Sequence, residues 1–223
     1  MPVPSTHGQA APPTTSSRPD WFATAAGRAL LHSELAIVHA ALGERPGQPW
    51  LWLAPSAPDE EAPPGHGLRL QAVAGGWAGT VRCTQALPLA NESVACVVLQ
   101  HAGGNGERAT ALVAECGRVL VPGGRLSLLC LNPLSPWRWR WAGDGPGSSE
   151  PMPWRRRMRA AGLVPEAVSQ GLGPRWGLVP DPSLQHGPGL RAAWLLRAEK
   201  RVSALTPLRT RQPLRIGSGV PAA

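Results

Sequence analysis

A doubly wound α/β fold, with a mostly parallel sheet and a helix ahead of it, is predicted by three stretches of this 223-residue sequence. The run VACVVLQ (94–100) is apolar without alternation, as in a parallel strand covered on both faces. A helical segment from Glu107 to Val121 follows it, and Pro122-Gly123-Gly124 turns the chain into a second apolar run, Arg125 to Leu131. Strand, helix and strand at this spacing make a right-handed crossover unit. Upstream, Leu31, Leu35, Val38 and Leu42 recur at helical spacing between Asp20, a candidate N-cap, and Gly43, a candidate C-cap.

The remaining elements follow from short apolar runs and their punctuation. PWLWLAPS (49–56) is bounded by proline and too short for a helix, so it reads as a buried strand. LRLQAVA (68–74) and TVRCT (80–84) are further strand candidates. WRWRWAGDGPGSSEPMP (137–153) reads as a loop and Trp154 to Ala161 as a helix. LVPEAVSQ (163–170) and RAAWLLRAEKR (191–201) supply the last strands. Residues 1–19 are rich in Pro, Ser and Thr and predict a disordered leader, 20–205 one domain, and 206–223 a flexible basic tail.

Charge is uneven. The net charge is +8, and residues 1–100 hold five Arg against seven acids, whereas 101–223 hold seventeen Arg and Lys against seven. Lys200 is the sole lysine and Tyr is absent, while Ala, Gly, Pro and Arg abound, a composition that a GC-rich coding sequence produces whatever the function. The basic half invites nucleic-acid binding without establishing it. The start lacks a basic stretch followed by an apolar core, and no apolar run approaches membrane-spanning length, so a cytoplasmic protein without a membrane partner is expected.

Cys83, Cys96, Cys116 and Cys130 contain no CxxC pair, which excludes a common zinc arrangement. Cys96 and Cys130 fall inside strand-like runs and are expected as buried apolar side chains. His32 and His39 lie seven apart on the first helix without a third ligand, so no metal site is expected.

ALPLANESVACVVLQHA followed by LVAECGRVLVPGGRLSLLCLNPLSPW resembles the later motifs of class I S-adenosylmethionine (SAM)-dependent methyltransferases of the type 11 group, with the pattern LPF-x-D-x-SFD-x-V then E-x-x-RVL-x-PGG. WFATAAGRALLHSE (21–34) and LLRAEKRVSALTP (195–207) resemble the two ends of a bacterial subfamily of that group, which extends the likeness over about 20–210. The resemblance implies a Rossmann-like methyltransferase fold with SAM across the carboxyl ends of the first strands. It places Leu53, Ala54, Ser56, Gly75 and Leu87 against the cofactor, and His101 and Asn132 toward a methyl acceptor that the sequence does not identify.

Departures from the family pattern gather on the cofactor side. The first strand ends Leu53-Ala54-Pro55-Ser56 with no glycine in its turn, and the second runs into Gly75-Gly76 with no acid for the ribose. Cys83 stands where the family commonly has an Asp near the adenine, Ser93-Val94-Ala95 replaces SFD, and His101 is kept while the following Glu is lost. HAGGNGER (101–108) matches no phosphate-binding loop. Trp137, Trp139 and Trp141 alternate with Arg138 and Arg140, so an extended chain there would carry one aromatic and one basic face. Three readings stay open: a methyltransferase-like enzyme with a degenerate cofactor loop, a non-catalytic scaffold on the same fold, and a nucleic-acid-binding protein.

Overall fold

The computed structural model describes residues 21–55, 63–73, 75–84, 86–102, 104, 106–140 and 147–201, and the expected leader and tail lie outside them. In chain order the elements are α1 (Ala25–Gly43), β1 (Trp50–Ala54), β2 (Gly67–Val73), β3 (Gly76–Gly79), β4 (Arg82–Cys83), β5 (Val94–Gln100), α2 (Gly106–Val119) and β6 (Leu120–Leu131). After them come α3 (Pro151–Ala160), β7 (Leu163–Pro165), β8 (Gln170–Leu172), β9 (Gln185–His186) and β10 (Ala193–Lys200). They form one sheet in the order β4-β3-β2-β1-β5-β6-β10-β8-β9, with β7 paired to β10.

The expected parallel centre is present: β2, β1, β5 and β6 run side by side in one direction. Antiparallel strands extend it at both ends, β10 on β6 and β3 on β2. Because strand side chains alternate, each central strand supplies two cores. Trp52, Val98, Leu129 and Leu131 meet Leu30, Leu31 and Val38 of α1 on one face. Leu53, Val97, Leu99 and Leu128 meet Val113 and Cys116 of α2 and Trp154 and Met158 of α3 on the other. Cys96, Cys116 and Cys130 are buried and free, as expected of small apolar side chains, and burial raises all three thiols above their ordinary range.

Several local expectations change. The N-cap of α1 is Thr24, whose Oγ1 accepts the Gly27 amide at 3.1 Å, because Trp21–Ala23 forms a separate 3-10 turn that buries Trp21 and Phe22. The Gly27 backbone lies so near that turn that a Cβ there would stand 2.4 Å from the Phe22 Cα. The Pro122-Gly123-Gly124 segment is a bulge inside β6 rather than a free turn: five steps along β6, Leu120 to Arg125, match two along β5, Val94 to Cys96. Gly123 takes φ 72°, a left-handed backbone that favours glycine.

The second strand is not followed by a crossover. Val73 pairs with Gly76, so β2 returns at once as the antiparallel β3, a strand that the sequence reading missed between its two candidates. The predicted strand over 163–170 is two short strands, β7 and β8, and the helix predicted from Trp154 begins at Pro151. The Trp/Arg segment is not extended: Pro136–Arg140 winds as a 3-10 turn, which buries Trp137 and exposes Trp139, while Trp141 lies outside the described residues.

The E-x-x-R of the family-like motif has a structural use. Arg118 makes a two-pronged bond to Glu115, Nε to Oε1 at 2.9 Å and Nη2 to Oε2 at 2.8 Å, and donates to the carbonyls of Leu87 and Leu89. The loop before β5 is thereby fastened to α2. That hydrogen bond from Arg118 is the main reason the Glu115 carboxyl is held below its ordinary 4.5.

Replacing Arg118 with Ala should cost about 2 kcal/mol near neutral pH, measured by chemical denaturation. A carboxyl lowered on folding contributes fully above its ordinary 4.5 and loses that contribution as pH falls through the folded value. The stability gap between the native chain and Arg118→Ala should therefore narrow in acid.

Candidate functional site

The carboxyl ends of β1, β2, β5 and β6 form one rim, the place where open α/β sheets bind ligands. At its centre stands a buried polar chain. Trp52 Nε1 donates to Gln100 Oε1 at 3.0 Å, and Gln100 Nε2 donates to Glu34 Oε2 at 2.9 Å. His101 Nε2 lies 2.9 Å from Glu34 Oε1 and 3.1 Å from Oε2. A carboxylate accepts, so the imidazole proton sits on Nε2 and Nδ1 is left as an acceptor, buried and without a partner.

The local chain makes this geometry. His101 follows the last residue of β5 at φ 50°, in the left-handed region, and its amide still donates to Leu129 O. Its ring packs 5.2 Å from that of Phe22. The His101 side chain is 1% exposed and that of Glu34 fully buried, so both groups of the pair are turned away from water.

Asn132, the other residue expected on the acceptor side, brackets the end of β6. Its Nδ2 donates to Gly189 O and Arg191 O, and its Oδ1 accepts the Leu134 amide. Both amide hydrogens are thus used within the chain, and Asn132 shapes the rim by holding the residues that lead into β10. Beside it, buried Arg191 bonds Gly173 O, Asp181 and the Ser183 hydroxyl. The Ser183 hydroxyl, ahead of Arg191, lowers the Asp181 carboxyl.

The residues expected around a cofactor do not come together. Leu53 and Ala54 are buried in opposite faces of β1. Ser56 lies outside the described residues. Leu87 is buried at the other end of the crossover, where its amide donates to Glu115 in the later turns of α2. Gly75 alone reaches a rim cavity. It sits in the β2–β3 turn at φ 83° and edges a hollow of about 170 Å³ with Val73, Trp77, Ala102, Arg108 and Leu112. A second, open hollow of about 430 Å³ shares Val73, Gly75 and Gly76 and continues to Arg82, Cys83 and Thr84.

Sequence reasoning missed the roles of Glu34, Gln100 and Arg191. A signal existed for the first two: Glu34 interrupts the apolar face that carries Leu31 and Val38, and Gln100 ends an otherwise apolar strand. Among the described residues no group of three His, Cys, Asp or Glu could hold a metal, in line with the cysteine and histidine spacing. No described helix is long and apolar enough to cross a membrane.

Neither a family model nor a curated protein matches this sequence. Among solved structures, a SAM-dependent methyltransferase from Thermotoga maritima is similar with a TM-score of 0.52 at 15% identity, over 78% of this chain and 93% of that one. The fold is that of the SAM-dependent methyltransferases. A second methyltransferase-fold relative is a chain from the complex of the Haloferax volcanii Trm112 methyltransferase activator with its methyltransferase, with a TM-score of 0.50 at 13% identity over 84% of this chain and 99% of that one.

The 170 Å³ hollow is below the roughly 300 Å³ at which ordinary ligand pockets begin. Among the described residues, Arg108 and Arg82 are the only charged ones lining the two hollows, the wrong sign for a sulfonium. Where a carboxylate would meet the ribose, β2 ends in Val73 and folds back.

Removing the Glu34 carboxylate should leave the Gln100 and His101 donors buried without an acceptor. Glu34→Ala is expected to cost about 3 kcal/mol in chemical denaturation, and Glu34→Gln less, because its amide oxygen still accepts.

Proposed function

We propose that this chain is a divergent relative of the type 11 methyltransferases that has lost the cofactor site and works as a non-catalytic binding scaffold. The observation that carries this reading is the β2–β3 hairpin: the second strand turns back at Gly75 where a methyltransferase would present an acid to the ribose and pass into a helix. It is supported by the inward use of the retained rim residues, since His101 and Asn132 each have a structural task that accounts for their presence. Fold and function separate readily when only the site changes.

A second reading is catalytic and rests on the His101–Glu34 pair. A carboxylate that orients an imidazole is the arrangement of a general base, and Nδ1 would take the proton of a methyl acceptor.

Calorimetric titration of the full chain with SAM and with S-adenosylhomocysteine decides between them. The scaffold reading expects no binding heat at several temperatures and an unchanged melting curve in excess ligand. A dissociation constant in the low micromolar range, about −8 kcal/mol, with a raised melting temperature would overturn it in favour of the enzyme.

A further inference from the structure

The four most exposed large apolar side chains among the described residues are Val179 (77%), Trp139 (75%), Trp176 (68%) and Leu134 (67%). All four lie on two segments that touch. Arg140 Nη2 donates to Trp176 O at 3.0 Å and Trp137 Nε1 to Gly177 O at 2.9 Å, which seats the 136–140 turn against the 175–179 loop. Ser135 Oγ donates to Leu190 O and so brings the exposed Leu190 beside the Leu134 turn. Together they cap the sheet where β6 ends and β10 begins.

The charge around this apolar cap has one sign. Arg138, Arg140 and Arg175 are exposed, and among the described residues none is paired with a carboxylate. Arg138 lies 5.2 Å over the Trp139 ring. The nearby Asp181 is engaged by Arg191 and Ser183 and leaves the three arginines unopposed.

We infer that this cap is a docking surface for an anionic lipid interface, with the tryptophans and arginines at headgroup depth and Leu134, Val179 and Leu190 at the acyl boundary. Indole rings and arginine stems have apolar bodies and polar ends, which suits them to that depth, and the arginine charges complement acidic headgroups. A single-stranded nucleic acid would use the rings and the arginines but would set the three aliphatic side chains against sugar and phosphate. Contiguous exposed apolar surface is otherwise uncommon on a monomer. The inference is independent of whether SAM binds.

The test is co-sedimentation of the full chain with vesicles of phosphatidylcholine alone and of phosphatidylcholine mixed with an equal part of phosphatidylglycerol. The native chain should sediment with the mixed vesicles and stay in solution with the neutral ones. Trp176→Ala and Val179→Asp should each weaken that binding about tenfold while melting as the native chain does, because both side chains stand in water. Equal binding by both variants would overturn the inference, since dispersed positive charge would then account for the attraction. Absence of vesicle binding, with retention of a single-stranded oligonucleotide, would overturn it in favour of nucleic acid.

Discussion

A carboxylate buried between a helix and a sheet organises the centre of this molecule. Burying an ionised group is tolerable only when its oxygens receive hydrogen bonds, and Glu34 receives them from Gln100 and His101 at the end of β5. Gln100 is held in turn by Trp52 of β1. One acid on α1 thus ties that helix to two adjacent parallel strands, and it sets how the helix lies over the face formed by Trp52, Val98 and Leu129. The left-handed backbone at His101 belongs to the same constraint, because the strand must turn there as the imidazole meets the carboxylate.

The two halves of the sheet differ in character. On one side β5, α2 and β6 form an intact crossover, sealed by Arg118 and Glu115 and eased into register by the bulge at Gly123. On the other, β2, β3 and β4 form a meander with shallow hollows, whose charged lining residues are arginines. The first half is the architecture of a methyltransferase sheet, and the second half departs from it where a methyltransferase would meet its cofactor. Polar side chains on the intact half of the rim are spent on holding the chain: Asn132 and Arg191 fasten the end of β6 to the approach of β10. What faces water nearby is apolar and basic, a surface suited to association rather than to chemistry.

Legibility in the sequence followed the range of the interactions. Elements with a local period were readable: α1 from its leucines, β5 and the later part of β6 from unbroken apolar runs, and α2 from its place between them. The Trp/Arg segment was misread because a two-residue alternation fits a strand, yet the indole of Trp137 finds a carbonyl at Gly177, forty residues away, and is drawn into the core. The hairpin at Gly75 was hidden for a related reason. A glycine pair after a strand suits a tight return as well as an open loop, and only the partner of Val73 distinguishes the two.

By itself the sequence determined the α/β class, the crossover unit, the burial of the cysteines and the thinness of the cofactor side, because these depend on composition and on spacing between near neighbours. Tertiary structure alone decided that Glu34 and Gln100, sixty-six residues apart, meet as partners. It also decided that β2 folds back and that Trp139 and Trp176 share one exposed cap. The physical reason is that a hydrogen bond or an ion pair acts over a few ångströms in space and leaves no period along the chain.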